Sequence, residues 1–251
     1  MYNIFDVVVE YSKNKRNDKF NEYAAKRKWT QETIDKWELG YFPPDNILDL
    51  KVKIVNAGGR DTDMLQHGIF KNNRSLFYDR VIFPVYDTWG KRIAITGRVF
   101  DSNVKPKYFN TVYEKAKILY GLDKAKDAIL KSGRVYVFEG NADVITSHQF
   151  GIENSVCIMG TTFSEDHYIL LSRYAKEIVL VFDNDAGGRK ALISFNKKKM
   201  DRPETAVFRC MFNKYKDADE FLNQEGKDEV LTYLESSILN AREQARLKNI
   251  K

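Results

Sequence analysis

A chain of 251 residues, 43% apolar and 30% charged, can bury a substantial core, which excludes a wholly disordered polypeptide. No apolar run approaches the roughly 20 residues of a membrane span, and Met1-Tyr2-Asn3-Ile4-Phe5-Asp6 lacks the basic and apolar regions of a secretory signal. The formal charge of +6 is uneven: residues 1–130 hold 23 Lys/Arg against 17 Asp/Glu, and residues 131–251 hold 18 of each. A basic first half suits a polyanionic partner, although the same excess also reads as a solubility device. Cys157 and Cys210 each lie in an apolar run. They read as buried free thiols in a reducing compartment rather than as a disulfide or a zinc site.

In chain order, Phe20, Tyr23 and Ala24 among charges predict a helix from Asp18 to Lys28. Thr30 then caps a short second helix through Trp37. Gly40 is expected to end it as a C′ residue, with Tyr41-Phe42-Pro43-Pro44 as an extended exit. Asn46 to Val55 reads as a third helix, and Gly58-Gly59-Arg60-Asp61 breaks the chain. Trp29, Trp37, Tyr41 and Phe42 read as core in preference to base-stacking platforms. Val81–Tyr86 and Ile93–Thr96 form a hairpin around Asp87–Lys91, with Pro84 marking an edge or a bulge. Arg80 and Arg98 flank these strands, and Lys105, Lys107, Lys115 and Lys117 follow in loops. Singly these are surface charges; together, beside Tyr108, Phe109 and Asn110, they make a plausible phosphate-contacting face.

A helix at Ala125–Leu130 leads to Ser132-Gly133, a natural boundary. Beyond it, strands are predicted at 134–138, 155–158, 178–182 and 205–209, with helices near 142–150, 164–175 and 187–200. Asp228 to Lys248 is one terminal helix, and Lys197-Lys198-Lys199 suits a helix C-terminus. The expected organisation is a basic α+β subdomain (1–130), a βαβ parallel-sheet subdomain (131–225) and a C-terminal helix (226–251). Ligands of such sheets sit beyond the carboxyl ends of the strands. Val135-Tyr136-Val137-Phe138 runs into Glu139-Gly140, and Ile178-Val179-Leu180-Val181-Phe182 runs into Asp183-Asn184-Asp185. Both acidic signatures therefore fall on one rim, where clustered carboxylates are unfavourable unless a cation neutralises them. Asp183 and Asp185, two apart, point the same way in extended backbone. Asp217 and Asp219 offer further carboxylates, or simply cap the helix that follows. Paired Mg²⁺ ions at such a rim support in-line displacement at phosphorus.

Val137-Phe138-Glu139-Gly140 through Asp183-Asn184-Asp185 resembles a TOPRIM domain, the fold shared by bacterial DnaG-type primases, topoisomerases and some nucleases. Gly160-Thr161-Thr162 with Asp166-His167 resembles the loop-helix between its acidic motifs. Tyr78-Asp79-Arg80-Val81-Ile82-Phe83-Pro84 is similar to the basic motif of the primases in particular. Gly97-Arg98-Val99, Pro106-Lys107-Tyr108-Phe109-Asn110, Lys115 and Leu119-Tyr120-Gly121-Leu122 continue that resemblance in order over residues 20–225. There are departures. Asn141-Ala142 stands where relatives often carry an aromatic-Met pair, and Ala186 where a basic residue usually follows, with Arg189 retained.

The resemblance implies a primase catalytic core, making short RNA primers on a single-stranded DNA template from NTPs and leaving an RNA–DNA hybrid. By the same resemblance Glu139, Asp183 and Asp185 bind catalytic Mg²⁺ or Mn²⁺, supported by Asp217 and Asp219. Arg80, Arg98, Lys107, Asn110, Lys115 and Arg189 contact template or nucleotide. It further implies a replicative helicase or a separate zinc-domain protein as partner, and work in the cytoplasm, that of the host if the protein is viral. On the same resemblance the family's N-terminal zinc-binding domain is expected to be absent and its C-terminal helicase-binding domain reduced to at most one helix, which suits a bacteriophage primase or equally an excised core. The alternatives are a TOPRIM-type nuclease and a non-catalytic single-stranded nucleic-acid-binding module.

Overall fold

A computed structural model describes residues 2–44, 47–71, 74–101, 103–160, 162–182 and 205–249. The chain divides into two compact units, residues 1–113 and 114–251. Among the described residues no helix is long and apolar enough to cross a membrane.

The first unit opens with α1 (Ile4–Lys13), which the sequence reading did not anticipate. Asn3 caps it by accepting the Phe5 N–H at 3.1 Å, and Ile4, Phe5, Val8 and Val9 enter the core. Helices α2 (Asp18–Lys26) and α3 (Gln31–Lys36) follow, the second capped by Thr30 as expected. Gly40 is not the C′ residue. Glu38 takes the left-handed position at φ 50°, with Leu39 N–H bonded to Ile34 O and Glu38 N–H to Asp35 O. Gly40 instead begins strand β1 (Gly40–Phe42), where an added Cβ would lie 2.2 Å from Ser12 Oγ. After α4 (Ile47–Asn56) and α5 (Asp61–Gln66) come short strands β2 (Phe70–Lys71) and β3 (Arg74–Ser75). Strands β4 (Arg80–Tyr86), β5 (Arg92–Val99) and β6 (Tyr108–Asn110) join β1 in an antiparallel sheet ordered β1-β4-β5-β6. Pro84 lies beyond the β1 ladder, which covers only Arg80–Ile82, and the β4–β5 register slips between Val85 and Tyr86. Trp29, Trp37, Tyr41 and Phe42 are all buried.

The second unit contains α6 (Leu122–Ser132), whose Leu122, Ala125 and Ile129 join the core of the following sheet. That packing draws the helix into the second unit, so the division falls at 113/114 and not at the expected 130/131. Strands β7 (Arg134–Phe138), β8 (Ser155–Cys157), β9 (Glu177–Val181) and β10 (Ala206–Cys210) form a parallel sheet ordered β10-β9-β7-β8. The crossovers include α7 (Asn141–Gln149) and α8 (Glu165–Leu171). Helix α8 is shorter than the predicted 164–175. The helix predicted at 187–200, with Lys197–Lys199, lies outside the described residues. Helices α9 (Ala218–Glu225) and α10 (Lys227–Asn249) close the unit, with Val230, Leu234 and Ile238 of α10 fully buried. Cys157 and Cys210 are buried free thiols on β8 and β10.

Candidate active site

A parallel sheet brings the carboxyl ends of β7 and β9 to one edge, because the register pairs Arg134 with Glu177 through Val137 with Leu180. Glu139, half-buried, is the first residue beyond β7. Asp183 and Asp185 follow β9 in sequence but lie outside the described residues, as does Arg189. Gly140 caps α7, and any Cβ there would stand 2.9 Å from Asp143 Oδ2. Asp143 organises this turn: Oδ2 accepts the Gly140 N–H at 3.2 Å and Oδ1 accepts the Asp219 N–H at 3.1 Å. The Thr146 hydroxyl donates to Asp219 Oδ1 at 2.5 Å, so buried Asp219 is bound to α7 at two points. Asp217 is the N-cap of α9, its Oδ1 accepting the Glu220 N–H at 2.9 Å. Sequence reasoning passed over Asp143 and Thr146. The available signal was an acid three residues after a glycine cap, the spacing that lets it reach back to the cap N–H.

Among the described residues no three His, Cys, Asp or Glu side chains cluster as metal ligands. Glu139 is a hard carboxylate donor of the kind Mg²⁺ takes, whereas both Asp143 oxygens and Asp219 Oδ1 are engaged in hydrogen bonds. Lys115 opens a single 3₁₀ turn, Lys115–Lys117, and burial lowers its ammonium pKa.

In the first unit the sheet register separates the predicted basic series. Val81 pairs with Arg98 and Arg80 pairs with Val99, so Arg80 and Arg98 emerge on opposite faces, and the expected single basic face does not form. Arg80 is 4% exposed. Its guanidinium donates to Pro106 O at 3.0 Å, Lys107 O at 3.1 Å and Gly97 O at 3.5 Å, and lies 4.8 Å from the Phe109 ring. Gly97 permits this: a Cβ there would be 2.6 Å from Phe77 Cδ1 and 3.1 Å from Arg80 Cδ. Arg80 also lines a cavity of about 610 Å³ with Tyr78, Val99, Phe100, Val104 and Phe109.

On the other face Arg98 pairs with Tyr108 and Thr96 with Asn110. The Arg98 guanidinium lies 5.2 Å from the Tyr23 ring and 5.9 Å from the Tyr108 ring, donates to the Tyr23 hydroxyl, and its Nε–H finds no acceptor among the described residues. Thr96 donates to Asn110 Oδ1 at 2.8 Å. Lys107, half-buried, holds its ammonium 5.8 Å from the Tyr108 ring. This face combines a cation, an exposed tyrosine and an amide, the groups that meet phosphates and bases.

Comparison with known proteins agrees with both halves. Residues 8–126 match the family described as DNA primase catalytic core, N-terminal domain, and residues 136–222 match a Toprim-like family. A DNA primase of Clostridium acetobutylicum is 33% identical over 234 residues, 88% of this chain and 38% of the relative. The crystal structure of a DNA primase domain from Pseudomonas aeruginosa is 30% identical, with a TM-score of 0.81, covering 93% of this chain and 77% of that one. A structure of the DnaG primase catalytic domain bound to ssDNA is 26% identical, with a TM-score of 0.82, covering 93% of this chain and 80% of that one. The chain spans less than half the length of the curated relatives it matches, as the Clostridium coverage illustrates.

Proposed function

This chain belongs to the family of DnaG-type DNA primase catalytic cores, and from that premise we propose that it synthesises short RNA primers on single-stranded DNA. The reaction is attack of a ribose 3′-hydroxyl on the α-phosphorus of an NTP: the new P–O bond forms as the bond to pyrophosphate breaks, leaving an RNA–DNA hybrid. One observation carries the reading. A primase-type unit with an Arg98–Tyr108–Asn110 face precedes, in the same chain, a sheet that presents Glu139 beyond β7.

Glu139, Asp183 and Asp185 would hold Mg²⁺ or Mn²⁺, with Asp217 and Asp219 in support. When bound, the ions would activate the attacking hydroxyl and neutralise charge on the leaving pyrophosphate. Asp143 would support the site by joining the Gly140 and Asp219 backbones, which fixes the turn that follows Glu139. Arg98, Lys107 and Asn110 contact template, and Lys115 and Arg189 contact template or nucleotide phosphates. Arg80 serves by holding the Pro106-Lys107 backbone. The free thiols of Cys157 and Cys210 support work in a reducing cytoplasm. A replicative helicase or a zinc-domain protein would be its partner in replication.

The test is incubation with single-stranded DNA, labelled ribonucleotides and Mg²⁺ or Mn²⁺, repeated with a helicase. Short RNA products from the wild type, lost in Asp183→Ala, are expected. DNA cleavage in their place would favour a nuclease, and binding without product a non-catalytic module.

A further inference from the structure

The Lys115–Lys117 turn carries a proposed phosphate contact, yet it is only one 3₁₀ turn long. The start of α8 holds it. Ser164 caps α8, its Oγ accepting the His167 N–H at 3.0 Å while donating to the Ala116 carbonyl at 2.7 Å. His167 is fully buried. Its Nδ1 lies 3.2 Å from the Ser164 nitrogen, whose N–H can only donate, so Nδ1 is the acceptor and the ring proton sits on Nε2. That Nε2–H faces two carbonyls at once, Lys115 O at 3.0 Å and Ile118 O at 3.2 Å. Burial lowers the His167 pKa, in keeping with a neutral ring.

The same segment reaches the acidic edge. The Gly160 N–H donates to Glu139 O at 3.1 Å, and Tyr120 and Cys157 exchange backbone hydrogen bonds at 3.0 and 3.1 Å. The stretch after β8 is therefore tied to the Glu139 carbonyl at one end. Through the first turn of α8, it is tied to the carbonyls of residues 115, 116 and 118 at the other.

We propose that His167 is a positioning residue for Lys115, its Nε2–H acting with Ser164 Oγ to clamp the 115–118 turn and fix where the lysine meets a phosphate. The proposal rests on reading Lys115 as a phosphate contact. A packing residue would fill the space, and a serine would cap the helix. A ring that accepts from its own helix and donates to a distant turn does both and couples them.

His167→Asn separates the two functions, because its carboxamide oxygen can still accept the Ser164 N–H while the side chain is too short to reach Lys115 O. The KM for NTP, the Kd for single-stranded DNA and kcat are measured for the wild type, His167→Asn, Lys115→Ala and the double variant. Whichever of the two binding constants Lys115→Ala raises, His167→Asn is expected to raise the same one, by about tenfold. The double variant should then be no worse than Lys115→Ala alone. Ser164→Gly, a mild change for a helix cap, should raise the same constant by a smaller factor and keeps the test open if His167→Asn folds poorly. An impaired Lys115→Ala beside a wild-type-like His167→Asn, or additive effects in the double variant, would overturn the clamp alone. A wild-type-like Lys115→Ala would remove the phosphate role of Lys115 and the clamp's function with it.

Discussion

Arg80 shows how far one side chain's environment can depart from its charge. A basic residue at the head of a strand reads as a surface cation, but its acceptors come from Gly97, Pro106 and Lys107, distant in sequence and brought close only by the sheet. Arg80→Ala would leave those carbonyls short of a donor, so chemical denaturation should show a loss of about 2–3 kcal/mol, the scale of charged hydrogen bonds. Gly97→Ala is expected to lose about 1–3 kcal/mol in the same measurement by overpacking against Phe77. Asp143 is a different case, since it joins the Gly140 and Asp219 backbones. Asp143→Ala should lower Mg²⁺ affinity about 10–100-fold in a calorimetric titration, as loss of a supporting carboxylate does elsewhere. On the opposite face from Arg80, Arg98→Ala should weaken single-stranded DNA binding and flatten its salt dependence by about 0.7 in log–log slope, one phosphate's share.

At the scale of elements, α1, α3, β4 and β5 meet at Glu38. Its carboxylate accepts from Arg92 at 2.6 and 2.9 Å and from the Tyr86 hydroxyl, with Lys13 at 3.4 Å. Burial opposes ionisation, but the bonds from Arg92 and Tyr86 and the Arg92 charge outweigh it and hold the pKa at about 2. A depressed carboxylate pKa gives stability that is full above its ordinary 4.5 and lost as pH falls toward about 2. Thermal melts across that window should fall more steeply for the wild type than for Glu38→Gln; equal slopes would contradict this account. The same residue explains a misread turn. Glycine is the usual left-handed C′ residue, and Gly40 was available, but Glu38's side chain is secured by three neighbours and takes the position. Strands β7 and β9 were legible because parallel strands covered on both faces are written as unbroken apolar runs. Helix α1 was not, since the β-branched run Val7-Val8-Val9 obscures its helical spacing. The place of Glu139 was legible for a similar reason, since it is the acid that ends the apolar run of β7, whereas Asp183 and Asp185 lie outside the described residues. The Asp143–Asp219 link was not, because it joins residues 76 apart through a backbone N–H.

Across the whole molecule the charge divides with the two units. Residues 1–113 carry 19 Lys/Arg and 14 Asp/Glu, and residues 114–251 carry the remaining 22 and 21. The excess thus belongs mainly to the unit with the Arg98–Tyr108–Asn110 face, and the near-neutral unit holds the carboxylates. That division is in keeping with the proposed template-binding face in the first unit and the proposed cation site in the second. The most direct test is to count pyrophosphate released against ribonucleotide incorporated on single-stranded DNA, for the wild type and for Glu139→Gln. One pyrophosphate per nucleotide joined, dependent on template and lost in the variant, is the expected result. Incorporation by Glu139→Gln at the wild-type rate, or no template-dependent pyrophosphate release from the wild type with a helicase present, would contradict the account.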